Sequence, residues 1–238
     1  MAMAAVDRRV AMITGGGRGI GRATAQAFVA AGYAVVIAEV QPALGRRAAH
    51  ALRARGAEAV ALATDVARRA SVRRAVAATR SRFGRIDCLV NNAGVLTVGP
   101  LVRLADARLD RMLDVNLRGP LLMTRAVLPG MLRRASGVIV NVASLLGRTG
   151  AADYATYCAT KFGVVGFTEA LAEELRGTGV RVWAVCPGLV DTPMARKTGV
   201  TARERSRLIR PESVARVVVD LATGRRREPS GAAVEVTR

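Results

Sequence analysis

Val10-Ala11-Met12-Ile13-Thr14-Gly15-Gly16-Gly17-Arg18-Gly19-Ile20-Gly21 runs an apolar segment straight into a glycine cluster and then into a helical pattern. A short run with no polar alternation reads as a strand covered on both faces, as in a parallel sheet. Glycines let the backbone turn sharply and come close to a ligand. The helix that follows presents free N–H groups and the positive end of its dipole. Strand, glycine loop and helix in that order form a cradle for the pyrophosphate of a dinucleotide.

The same alternation continues outward from this segment. Ala34–Ala38, Ala59–Ala63, Ile86–Asn91, Val138–Val142, Val180–Cys186 and Ala233–Val236 read as buried strands. Ile20–Ala31, Gln41–Arg55, Ser71–Arg82, Leu104–Arg133, Tyr154–Arg176 and Pro211–Thr223 read as helices. Ser71 is the expected cap of one helix, Gly56, Gly84 and Gly177 sit just past helix ends, and Pro211 stands where its missing N–H costs nothing. The expected fold class is α/β, a doubly wound parallel sheet in a single domain over residues 1–238. The irregular stretch Pro187–Arg210 follows a strand, where such sheets place ligands, and is expected to form a short substrate loop.

Composition excludes several other classes. Hydrophobic residues make up 51% of the 238 and charged residues 23%, as in a globular chain. The net charge of +19 would suit a polyanion, but the basic residues are scattered, no nucleic-acid motif accompanies them, and aromatics are only 3%. No nucleic-acid partner is expected. Cys88, Cys158 and Cys186 form no CxxC pair, and His50 is the only histidine, so neither a zinc site nor a disulfide framework is expected. No apolar run is long enough for a bilayer and the N-terminus lacks a signal-peptide core, so the expectation is a cytoplasmic protein with no membrane partner.

Tyr157-Cys158-Ala159-Thr160-Lys161 opens a helical pattern, so the phenol and the ammonium share one face. A phenol is a poor acid–base catalyst at neutral pH, and a nearby cation stabilises its anion and lowers its pKa. Lys161 is one of only two lysines, the other being Lys197, in a chain that otherwise takes its positive charge from arginine. Tyr154 stands seven residues from Lys161 and is read as a partly buried aromatic near the substrate.

The glycine loop reads TGxxxGxG rather than GxGxxG, and Asn91-Asn92-Ala93-Gly94 follows the fourth strand. Together with Tyr157 and Lys161, these motifs resemble the short-chain dehydrogenase/reductase family in order and spacing. The resemblance runs from Arg9 to Val236 and implies a Rossmann-type domain that moves hydride between a nicotinamide dinucleotide and a secondary alcohol or ketone. It implies Tyr157 as general acid/base and Lys161 as its tuner and ribose ligand. Ser144, thirteen residues before Tyr157, is then the hydroxyl that holds the substrate oxygen. Asn116 is the mid-helix amide that kinks its helix and holds a water for proton relay.

Cofactor contacts are implied at Gly15, Gly17, Arg18, Gly19, Ile20 and Gly21, and at Asp65 and Val66 for the adenine. They are also implied at Asn92, Ala93 and Gly94, and at Pro187, Gly188, Val190 and Thr192 on the nicotinamide side. Glu39, about twenty residues beyond the glycine loop, can accept from both ribose hydroxyls and repels a 2′-phosphate, which favours NAD(H). Arg18 speaks for NADP(H), the alternative. Leu146, Tyr154 and Leu189, with Val95, Met194 and Arg148, are expected around the substrate, and Arg148 is read as solvated or as a carboxylate partner. A homo-oligomer, tetramer or dimer, is implied through Leu104–Arg133 and Tyr154–Arg176. The runner-up function is an NADPH-dependent ketoreductase of the 3-oxoacyl type. The remaining alternatives are a non-catalytic NAD(P)-binding regulator and a nucleic-acid-binding protein.

Overall fold

The computed structural model describes residues 8–197 and 208–237. Strands form where the apolar runs predict them: β1 (Val10–Thr14), β2 (Ala34–Glu39), β3 (Ala59–Ala63), β4 (Cys88–Asn91), β5 (Gly137–Val142), β6 (Val180–Pro187) and β7 (Ala233–Val236). They build one parallel seven-stranded sheet in the order β3-β2-β1-β4-β5-β6-β7. Alternate side chains enter two separate core layers, which is why the strands carry no polar face. Ala11 and Ile13 of β1 pack with Val35, Ile37 and Phe28 on one side, while Val10 and Met12 pack with Val36, Leu89 and Met123 on the other.

Helices cover both layers. α1 (Gly19–Ala30), α2 (Pro42–Arg53) and the helix Pro211–Thr223 supply the first, through Phe28, Leu52 and Val218. α3 (Arg69–Phe83), a helix at Gly119–Arg133 and one at Ala155–Glu174 supply the second, through Val76, Val127 and Leu171. Strand order reverses between β1 and β4, so a crevice opens at their C-terminal ends, where doubly wound sheets bind ligands.

Two local expectations are corrected. The long helix expected over Leu104–Arg133 is interrupted. A 3₁₀ turn at Leu101–Arg103 precedes α4 (Asp106–Leu113), a π-turn follows at Asp114–Arg118, and α5 (Gly119–Arg133) completes the run. The π-turn centres on Asn116, whose side chain is tied to another segment. Ser71 is not a cap: Arg68 holds that position, and the buried Ser71 hydroxyl, within the first turn of α3, accepts from Asp65 N at 3.0 Å. Gly84 meets its expectation, closing α3 with a φ of 74° that a Cβ would strain. The following elements are α6 (Ala155–Glu174) and α7 (Pro211–Thr223). No helix among the described residues is long and apolar enough to cross a membrane.

Candidate active site

One cleft of about 540 Å³ runs along the C-terminal ends of the strands, from the glycine loop to Tyr157. At one end, Gly15 and Gly19 turn the chain at φ 63° and 53° and leave the start of α1 open. Arg18 occupies the N-cap position in an extended conformation, no side chain caps the helix, and its first turn carries no acid. The uncapped N–H groups therefore face the cleft, and the residues fit a dinucleotide's pyrophosphate. Gly17 and Gly21 lie behind the cleft rather than on its surface. A Cβ on Gly21 would sit 2.3 Å from Gly15 O and 2.5 Å from Asn92 Nδ2, so Gly21 lets α1 press against the loop.

A set of buried and partly buried hydrogen bonds anchors this loop. Asn92 Nδ2 donates to Thr14 O at 2.9 Å and to Gly15 O at 3.1 Å. Thr14 Oγ1 accepts from Asn92 N and Ala93 N, each at 3.0 Å, and donates to Val90 O at 3.3 Å. Thr14 went unassigned at the sequence level, although its place as the first residue of TGxxxGxG signalled it. Behind it, Asn91 Nδ2 donates to Asn141 Oδ1 and Asn141 Nδ2 to Thr168 Oγ1, both at 2.9 Å, pinning β4 and β5 to α6.

Glu39 is buried at the end of β2 and lines the cleft. Its carboxylate accepts from Gly17 N at 3.2 Å and Gln41 N at 3.1 Å, so it also braces the glycine loop from below. Each oxygen keeps acceptor capacity for a ribose hydroxyl. Asp65 and Val66 line the same end. Asp65 accepts from Ala67 N at 3.0 Å and lies within ion-pair distance of Arg68 and Arg111. Arg111, a cleft residue on α4, was not foreseen, because nothing in the local sequence brings α4 to β3.

At the other end, Ser144 leaves β5 in an extended conformation and its hydroxyl accepts from Leu146 N at 3.1 Å. Tyr157 and Lys161 project from the first turns of α6 into the cleft. The buried Lys161 ammonium donates to Val142 O at 2.8 Å and lies 5.6 Å from the centre of the Tyr157 ring. Burial pushes the Tyr157 phenol up to about 12, against the opposing pull of its hydrogen bond with Ser144. Burial also pushes Lys161 down to about 8. The expected lowering of the Tyr157 pKa is thus reversed in this state: desolvation outweighs every stabilising contact, and the ammonium is aimed at a backbone carbonyl rather than the phenol oxygen.

Asn116 sits within the π-turn, and its side chain is anchored to a neighbouring segment. Its Oδ1 accepts from Val95 N and its Nδ2 donates to Val95 O, both at 2.8 Å, with a third contact from Nδ2 to Thr160 Oγ1 at 3.4 Å. The side chain ties the π-turn to the Val95 segment.

Ile20, Ala93, Gly94, Pro187, Gly188, Val190 and Thr192 all line the cleft. Thr192 closes over the loop: a Cβ on Gly19 would meet its methyl at 3.1 Å. The bridge between Val190 and Ile209 ties off the base of the substrate loop, and residues 198–207 of that loop lie outside the described residues. Val95, Leu146, Tyr154, Leu189 and Met194 are brought together as expected. Arg148 is not among them; it turns away to Glu235 at 3.5 Å.

A nucleotide-binding crevice that ends on a Ser–Tyr–Lys group marks an oxidoreductase. The chain belongs to the short chain dehydrogenase family, whose model matches residues 9–202, and it acts on hydroxyl or carbonyl groups with NAD(P). It is 39% identical over 226 residues to the 3-oxoacyl-[acyl-carrier-protein] reductase of Synechocystis sp., covering 93% of this chain and 92% of that one. It is 40% identical over 187 residues to the sorbitol dehydrogenase of Cereibacter sphaeroides, covering 78% and 72%. Among solved structures, the 3-ketoacyl-(acyl-carrier-protein) reductase from Brucella melitensis complexed with NADH superimposes with a TM-score of 0.89 at 34% identity, over 96% of each chain.

Proposed function

We propose that this enzyme interconverts a secondary alcohol and a ketone with NAD(H), using Ser144, Tyr157, Lys161 and Asn116. The observation that carries the proposal is the single cleft joining the uncapped start of α1 and Glu39 to the Ser144–Tyr157–Lys161 group. The glycine loop would hold the pyrophosphate, Glu39 the adenosine ribose, Asp65 and Val66 the adenine, and Lys161 the nicotinamide ribose. The bound nicotinamide would supply or accept the hydride. In the reductive direction the Ser144 hydroxyl donates to the substrate carbonyl oxygen, and Tyr157, protonated at neutral pH, delivers a proton to that oxygen as the alcohol forms. In the oxidative direction the phenolate takes the proton back. Asn116 positions the wall of the cleft through Val95.

The apolar surroundings of Leu146, Leu189, Val95 and Met194 support a hydrophobic substrate. A 3-oxoacyl thioester is the second reading, favoured by the names of the Synechocystis and Brucella relatives. The buried, unpaired cysteines support a reducing, cytoplasmic setting. The half-exposed Phe162, with Leu121 and Leu132, supports a homo-oligomer through α5 and α6.

The test is Tyr157→Phe, assayed with NADH and a panel of ketones. Turnover should fall by about a hundredfold or more while NADH binding, followed by nicotinamide fluorescence, is unchanged. Retained turnover would refute the mechanism, and loss of NADH binding would show that the phenol serves mainly to hold the cofactor.

A further inference from the structure

A second groove, of about 290 Å³, lies between α3 and α5 on the outer face of the second helix layer. Its rim is formed by Arg69, Arg73 and Arg80 of α3 and Arg125 of α5. The floor between them is apolar, with Val72 and Val76 on one side and Leu122 on the other. Neither helix contains a single acidic residue: α3 reads RASVRRAVAATRSRF and α5 reads GPLLMTRAVLPGMLR.

The rim of this groove differs from its immediate flanks in ion pairing. Arg68 and Arg118, which flank it, are paired with Asp65 and Asp114. Among the described residues no such partner serves any of the four arginines on the rim. Other surface arginines, Arg22, Arg46 and Arg55 among them, also lack a carboxylate partner among the described residues, but the groove gathers four such arginines around one apolar floor. Like charges gathered around one concavity without a counter-charge repel one another and raise the local potential. An anionic occupant relieves that repulsion and finds forked donors already in place.

We propose that this groove docks an acidic amphipathic helix of a partner protein. The chemistry of its lining favours that occupant over others. Arg69 and Arg80 are eleven residues apart on α3, a span of about 16 Å at the helical rise, or roughly three turns. A helix of that length places carboxylates at i, i+4 and i+7 against the arginines and an apolar stripe on the valine and leucine floor. A nucleic-acid strand would use the arginines but would gain little from an aliphatic floor with no aromatic ring to stack on. The groove is separate from the catalytic cleft and shares no lining residue with it, so occupancy does not obstruct the cofactor.

The experiment uses the full chain with a fluorescein-labelled eighteen-residue peptide carrying glutamates at i, i+4 and i+7 and a leucine stripe opposite. Its control has the same composition, scrambled to destroy the stripe. Anisotropy is read at 0.15 M salt, where exposed charges more than about 8 Å apart are largely screened. Patterned binding at least about tenfold tighter than scrambled binding, and about tenfold weaker in the Arg73→Glu/Arg80→Glu double variant, is the expected result. NADH binding, turnover and sedimentation of the double variant should match the parent. Equal binding of both peptides would reduce the effect to general polyelectrolyte attraction and overturn the proposal, as would no binding at all. Tighter binding of a duplex DNA probe with the same arginine dependence would assign the groove to nucleic acid instead. A change of oligomeric state in the double variant would assign it to a second copy of this chain.

Discussion

Replacing Lys161 by Met should make the cofactor-free protein more stable at neutral pH while destroying its activity. In the parent, burial lowers the Lys161 pKa from 10.5 to about 8. A difference of that size corresponds to about 3 kcal/mol of penalty for holding the ammonium in the fold below pH 8. Met matches the shape and carries no charge, but it surrenders the 2.8 Å bond to Val142 O, worth about 1 kcal/mol net. The variant should therefore gain about 2 kcal/mol at pH 7, a rise in Tm of roughly 4–8 °C for a chain of this length.

The sign of the pH dependence follows from which state releases its proton first. Between pH 8 and 10.5 the folded parent has lost the Lys161 proton while the unfolded chain still holds it, so parental stability rises with pH. The gap to the variant should narrow by about 2 kcal/mol between pH 7 and 9.5. Tyr157 acts in the opposite sense only above pH 10, because its folded pKa is raised to about 12, and it is common to both proteins. Urea unfolding of both proteins at pH 7, 8 and 9.5 checks this. A variant less stable than the parent at pH 7, or a gap that does not change with pH, would refute the reasoning.

Gly21→Ala should lose about 3 kcal/mol or more, because its Cβ meets Gly15 O at 2.3 Å, and lower Tm by roughly 6–12 °C with weakened NADH binding. Gly150→Ala, with nothing within 4 Å, should stay within about 0.5 kcal/mol in the same melts. Glu39→Ala removes the acceptor for Gly17 N and Gln41 N and should narrow the NADH over NADPH preference by about tenfold in fluorescence titrations; unchanged affinities would remove Glu39 from cofactor selection. Phe162→Glu places a charge on the exposed face of α6, and sedimentation should show a smaller assembly than the parent if that face joins subunits; an unchanged mass would place the interface elsewhere.

The strands, the glycine loop and the places of Ser144, Tyr157 and Lys161 along the cleft were legible in the sequence. They depend on local pattern: continuous apolar runs for a sheet covered on both faces, glycines where a chain turns, and an i, i+4 spacing that places two side chains on one face of a helix. Asn116 was marked as a kink, but the π-turn and its tie to Val95 depend on a loop twenty-one residues away. The approach of Arg111 to Asp65, the departure of Arg148 toward Glu235 and the bracing of Gly17 by Glu39 likewise depend on packing between distant segments. Burial decided the direction of both pKa shifts, raising Tyr157 and lowering Lys161, because desolvation is a property of everything packed around a group and no spacing records it. The unpaired arginine groove lies between the same two extremes: α3 and α5 each show their lack of acids in sequence, but only their parallel packing brings Arg125 to Arg69, Arg73 and Arg80.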